Sequence, residues 1–139
     1  YWEHLLGHVA VDFDKLCPDT FWHAVGELYR QPVLHCREQP WMFAVVKAAA
    51  ALPGVAPLGG IVEWVTALFR KGQQLGLVRD DLPDELLFAL LFAFDDAVDR
   101  WMMSHLEGMG DAELEDLLAR LFATVRGMLA PPVLAGGGR

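Results

Sequence analysis

The chain has 139 residues, 11 basic against 19 acidic, and a formal net charge of −8. A surface of that sign repels phosphate backbones, and no basic stripe interrupts it, so these residues are not expected to bind nucleic acid themselves. The length suits one domain with a real core. An apolar content of 54% is high for so small a domain and points to additional buried surface, either an oligomer interface or a ligand cavity. No apolar run approaches the ~20 residues of a membrane helix. Two cysteines, Cys17 and Cys36, are too few for a disulfide framework, so a reduced, cytoplasmic setting is expected. The chain opens at Tyr1 with neither a methionine nor a charged-then-apolar leader, and is expected to be a fragment or a processed product.

In chain order, Tyr1 to Leu16 reads as a helix already in progress, with Leu5, Leu6, Val9 and Phe13 at helical spacing. Pro18 and Asp19 start a second helix, and Phe21, Val25, Leu28 and Tyr29 form its stripe toward Arg37. Pro32 is expected to bend or interrupt that helix, because it lacks an amide donor and crowds the turn before it. Pro40 opens an alanine-rich helix from Trp41 to Leu52, and Pro53 to Gly60 reads as a loop. Ile61 to Leu75 is amphipathic, with Ile61, Val65, Leu68, Gly72 and Leu75 on one face. Gly76 is placed to end it in a left-handed conformation, which costs glycine little. Pro83 then sits in the first turn of the central helix, which runs to about Leu106 with Asp84 and Glu85 at its positive end. From Leu86 to Phe94 every residue is apolar, so this helix must be covered on more than one side. Gly108 to Gly110 break it. Asp111 is expected to cap a last helix striped by Leu114, Leu117, Leu118, Leu121, Phe122 and Val125. Residues 131–139 form a loose tail. No strand pattern appears, so the expected fold is all-α: a single domain over residues 1–130, built as a bundle of about five to six helices.

The segment from Phe69 to Met103 carries the pattern G-x-x-x-G-x-[IVL]-[RD]-x-D-x-[PD], matched by Gly72, Gly76, Val78, Arg79, Asp81 and Pro83. In this it resembles the C-terminal half of TetR-type (tetracycline-repressor-like) transcriptional regulators, over roughly Cys17 to Pro131. The resemblance implies a ligand-sensing and dimerisation domain of a regulator, in most cases a repressor. Its DNA-binding helix-turn-helix would lie upstream of Tyr1, so that DNA is met only through that missing domain. It implies a homodimer in which the last two helices pair with their two-fold mates as a four-helix interface. The residues expected there are Phe88, Leu91, Asp99 and Met102 on the central helix and the six-residue stripe of the last one. It also implies a hydrophobic effector inside the bundle. By that analogy the expected lining is Trp22, Val25, Trp41, Val45, Trp64, Leu68, Phe92 and Asp95.

Several polar groups admit both a chemical and a plain structural reading. Asp96 and Arg100, four apart, suit a solvated ion pair. Asp95 and Asp99 share an apolar arc, where two like charges are unfavourable unless the helix emerges into water or one of them meets a ligand. The five tryptophans, Trp2, Trp22, Trp41, Trp64 and Trp101, serve either as core or as pocket lining. His4, His8 and Asp12 fall on one stripe at metal-ligand spacing, although a solvated face explains them as simply. Cys17 and Cys36 lack the setting of a reactive thiolate. With no nucleophile–base pair, no metal motif and no phosphate-cradling loop, neither catalysis nor a cofactor is expected. The alternative to a regulator is a stand-alone helical module that sequesters a hydrophobic small molecule.

Overall fold

The computed structural model describes residues 12–50 and 59–133. Among them there is no strand, and the all-α expectation holds. A one-turn 3-10 helix, Phe13–Lys15, precedes α1 (Pro18–Glu38), α2 (Trp41–Ala50), α3 (Gly59–Gln74), α4 (Asp84–His105) and α5 (Asp111–Leu129). Most of the expected first helix lies outside the described residues. Its end is not α-helical, since Leu16 is already extended.

Pro32 is expected to bend or interrupt its helix and Asp111 to cap the last one; the interruption and the cap are both absent. Pro32 does not interrupt α1, which runs unbroken for 21 residues. The proline costs on the order of 3 kcal/mol. Val25 is buried on one side of it, and Val33 and Cys36 on the other. Each fully buried side chain of this size contributes about 1.5–3 kcal/mol, enough to keep the helix continuous across the proline. Asp111 does not cap α5. Gly110 occupies the N-cap, and Asp111 is the first helical residue. Its carboxylate is instead held by Arg37 at 2.8 Å. Elsewhere the shifts are small. Gly59 and Gly60 belong to α3 rather than to the loop before it, and Pro83 stands at the N-cap of α4 with Asp84 and Glu85 in the first turn.

The core has two parts. In one, Phe21 and Val25 of α1 meet Leu68 and Phe69 of α3, Leu87 and Leu91 of α4, and Val125 and Leu129 of α5. In the other, Val33 of α1 meets Met102 and Leu106 at the end of α4 and Leu114 and Leu118 of α5. The start of α4 therefore lies against the end of α5 and the reverse, which makes the two antiparallel, with α1 spanning both parts.

The α3–α4 joint accounts for each residue of the glycine-bearing motif. Gly76 has φ +74°, the left-handed region that favours glycine. The Gly72 carbonyl accepts the amides of Leu77 and Val78 at 2.9 and 3.2 Å, turning the chain back so that Val78 is buried against Phe21. Arg79 and Asp81 form two parallel hydrogen bonds at 2.7 Å. The Arg79 amide bonds to the Leu129 carbonyl at 2.7 Å, tying the joint to the end of α5. The motif is a folding joint.

Candidate functional site

Helix α4 is apolar on two neighbouring faces, and the bundle uses one. Leu87, Leu91 and Met102 are buried, with Phe94 and Val98 packed against the same clusters. Roughly a third of a turn around the helix, Leu86, Leu90, Ala93, Ala97 and Trp101 are all exposed. Their spacing of four, three, four and four residues keeps them on one side of a helix. Leu86, Leu90 and Trp101 are 43–47% exposed. At the far end the His105 ring stacks on Trp101 with centroids 4.1 Å apart and approaches the Trp101 carbonyl at 2.8 Å through Nδ1. Asp96 and Arg100 form the expected surface ion pair beside this stripe.

Two clefts open on the surface. The first, ≈ 230 Å³, runs between α1 and α5, with Trp22, Gly26 and Tyr29 on one wall and Leu118, Ala119 and Phe122 on the other. Its edge is pinned by the ion pair of Arg30 with Glu115 at 2.7 Å. Arg126 lies 5.1 Å above the Trp22 ring. The second, ≈ 290 Å³, lies where the end of α1, the start of α2 and the end of α4 converge. Cys36, Met102 and Leu106 are its buried members, Pro40, Ala44 and Met103 are exposed, and Arg37 and Glu107 stand at the mouth.

The eight residues expected to line an effector cavity are not brought together. Val25 and Leu68 are fully buried in solid core, and Trp22 is buried among the same side chains while touching the first cleft. Trp64 is half-buried against Phe13, with ring centroids 5.9 Å apart. Trp41, Val45 and Phe92 point outward, at 60%, 53% and 44% exposure. Only Trp22 of the eight lines either cleft. The expected dimer residues need a similar correction. Leu91, Met102, Leu114, Leu118 and Val125 are buried within the chain itself and have no surface left for a partner. Phe88, Asp99, Leu117, Leu121 and Phe122 are half-buried. The stripe of α5 is taken up by its own core, which leaves the outer face of α4 as the larger open apolar surface. Of the stripe of possible metal ligands, His4 and His8 lie outside the described residues, and Asp12 pairs with Lys15 at 3.5 Å.

Asp95 has a partner within the bundle. The half-buried Tyr29 hydroxyl donates a hydrogen bond to it. Burial, then the charges of Asp95 and Asp99, push the phenol's pKa above its ordinary value of 10.0. A folded pKa raised above the unfolded one favours the protonated phenol. The stabilisation is complete below the unfolded value and is lost as pH rises through the folded one. A Tyr1→Phe variant leaves Tyr29 as the sole tyrosine. Its phenolate absorbance should stay flat past that ordinary value and rise only where the helical circular dichroism collapses. A titration near the ordinary value with helices intact would mean that Tyr29 makes no such bond to Asp95.

Cys17 is a residue whose setting the sequence reading missed. It is the exposed N-cap of α1, with its amide donating to Thr20 Oγ1 at 3.1 Å and its Sγ 3.4 Å from the same hydroxyl. The Thr20 hydroxyl, followed by the backbone amides of Asp19 and Thr20, lowers the thiol pKa below its ordinary value. The signal lay in the run Cys-Pro-Asp-Thr, a cap, a proline at the first helical position and a hydroxyl three residues on. Cys36 is buried. An aromatic disulfide reagent should therefore consume one thiol quickly in the folded chain, that of Cys17. The second should react only on denaturation. Equal rates for both would contradict this.

Among the described residues no helix is long and apolar enough to cross a membrane. Compared with protein-family models, with curated proteins and with solved structures, the chain matches none.

Proposed function

We propose that this chain is the ligand-sensing and dimerisation domain of a TetR-like transcriptional regulator. The observation that carries the reading is the outer face of α4. Leu86, Leu90 and Trp101 stand in water on a helix whose neighbouring face is already buried. In this reading a second copy covers that face by a two-fold axis, and α5 contributes what its half-buried Leu117 and Leu121 still expose. A hydrophobic small molecule would favour one arrangement of the bundle. Through the dimer it would change the spacing of two helix-turn-helix heads supplied from outside these 139 residues. The motif of the α3–α4 joint supports the same reading, since it fixes where α4 begins against the bundle. The acidic surface assigns DNA contact to those heads rather than to this domain.

Light scattering and native mass spectrometry of the purified chain test the proposal together. The expected species is a dimer at micromolar concentration that carries a retained small molecule from its host. A specific dimer buries at least ~1,000 Å² in total. A monomer at that concentration would overturn the regulator reading, and a stand-alone sequestering module would then fit better.

A further inference from the structure

We propose that the cleft at the end of α4 is where this chain takes its small molecule, and that the molecule is an uncharged aromatic of two or three rings. The inference rests on the ligand-sensing reading above and supplies the site and ligand class that it lacks. Size comes first. A dry cavity of about 150 Å³ admits a benzene ring. The cleft offers ≈ 290 Å³, room for about two rings. The surrounding helix extends that room outward. Trp41, one turn before the lining residue Ala44, and Val45, one turn after Trp41, lie outside the cleft lining, and both are more than half exposed. A third ring could lie against this lip and cover apolar surface that the bundle leaves in water.

The lining decides the chemistry. Three of its side chains carry sulfur, the Cys36 thiol and the Met102 and Met103 thioethers. Such groups are polarisable, adapt their shape and favour the edges of aromatic rings. Among the described lining residues the one cation is already engaged. Arg37 holds Asp111 Oδ1 and the Met109 carbonyl, each at 2.8 Å. An anionic ligand would have to displace those bonds and approach Glu107 as well. A neutral ring system needs neither. Occupancy would also bear on the Arg37 clasp, which joins the end of α1 to the α4–α5 connection.

N-phenyl-1-naphthylamine is an uncharged fluorescent probe of this size, and its 8-sulfonate is the same ring system with a negative charge. Titrated into the 139-residue chain, the uncharged probe should brighten with micromolar affinity, and the sulfonate should bind at least tenfold more weakly. Ala44→Trp fills the cleft from an exposed position and should weaken the uncharged probe at least tenfold without shifting the thermal melt. Met103→Glu, from a second wall, should do the same. Ala119→Trp, in the α1–α5 cleft, should leave its affinity unchanged. Unchanged binding in both cleft variants, loss of binding in Ala119→Trp, or equal affinity for the sulfonate would each overturn the proposal. Light scattering on the same samples separates the two readings. A monomer that binds the probe in this cleft sinks the regulator and keeps the site. A dimer whose binding ignores Ala44→Trp does the opposite.

Discussion

Replacing Ala93 with glutamate should turn a dimer into a monomer while leaving the bundle folded. Ala93 lies at the middle of the outer face of α4, between Leu90 and Ala97, and is exposed. The small side chains there let two helices approach closely about a two-fold axis, with crossings typically 8–10 Å apart. For the isolated chain the substitution is nearly neutral. Glutamate is a good helix former, within about 0.5 kcal/mol of alanine. The added charge falls three residues before Asp96, a like-charge pair that costs only ~0.2–0.5 kcal/mol, and Asp96 is already paired with Arg100. In an assembly the balance is different. Both copies carry the new carboxylate, each loses water, and symmetry sets like charge near like charge. Several kcal/mol per unpaired ion is the usual penalty. Even ~3 kcal/mol in total weakens association more than a hundredfold, at 1.4 kcal/mol per factor of ten. The scattering mass should halve at micromolar concentration, and the far-ultraviolet dichroism should not change. A dimer that survives this change is held together elsewhere, and the outer face of α4 then needs another occupant.

How far the sequence reveals this arrangement depends on contrast between faces. On α5 the apolar residues recur at helical spacing against a charged background, so the stripe from Leu114 to Val125 is readable, and the structure buries Leu114, Leu118 and Val125 and half-buries Leu117, Leu121 and Phe122. On α4 the run from Leu86 to Phe94 has no polar background, and periodicity alone cannot say which side turns inward. That side is chosen by α1 and α5, so the sequence points to the inward residues Leu91 and Met102 for an interface, whereas Leu86, Leu90 and Trp101 are the ones left outward. Helix α2 fails in the same way. With Lys47 the only charge between Trp41 and Ala50, nothing marks Trp41 and Val45 as outward. The second cleft was invisible for a different reason. Cys36, Ala44 and Met103 come from three helices, and no spacing along the chain brings such residues into one window. The joint was legible because its determinants are local. A turn needing positive φ, a bidentate ion pair two residues apart and a proline before a helix all fall within twelve residues.

Gly72→Ala should destabilise the fold although alanine is the better helix former. Two effects oppose each other. In a helix interior alanine is favoured over glycine by about 1 kcal/mol. Against that, a Cβ at Gly72 would lie 2.4 Å from Phe21 Cζ and 2.4 Å from Val78 Cγ2, with Phe21 Cε2 at 2.9 Å. Neither neighbour can swing into solvent, since Phe21 is 0% and Val78 2% exposed. Overpacking a closed site typically costs 1–3 kcal/mol, occasionally more. Here two rigid groups are struck at once, so the upper part of that range should apply. A net loss of about 1–2 kcal/mol remains after the helix gain, several degrees in melting temperature for a chain of this size. Gly76 needs glycine for a different reason. A Cβ there meets nothing within 4 Å, and its constraint is the backbone angle alone. The two can be told apart by compensation. Val78→Ala removes one of the atoms that an added methyl at residue 72 would strike. The pair Gly72→Ala and Val78→Ala should therefore cost less than the sum of the two single changes, by about 1 kcal/mol in a double-mutant cycle. Val78→Ala should give no such relief to a substitution at Gly76. Strict additivity at residue 72 would mean that Phe21 alone sets the limit there. A stabilised Gly72→Ala variant would mean that the joint is looser than the burial of Phe21 and Val78 requires.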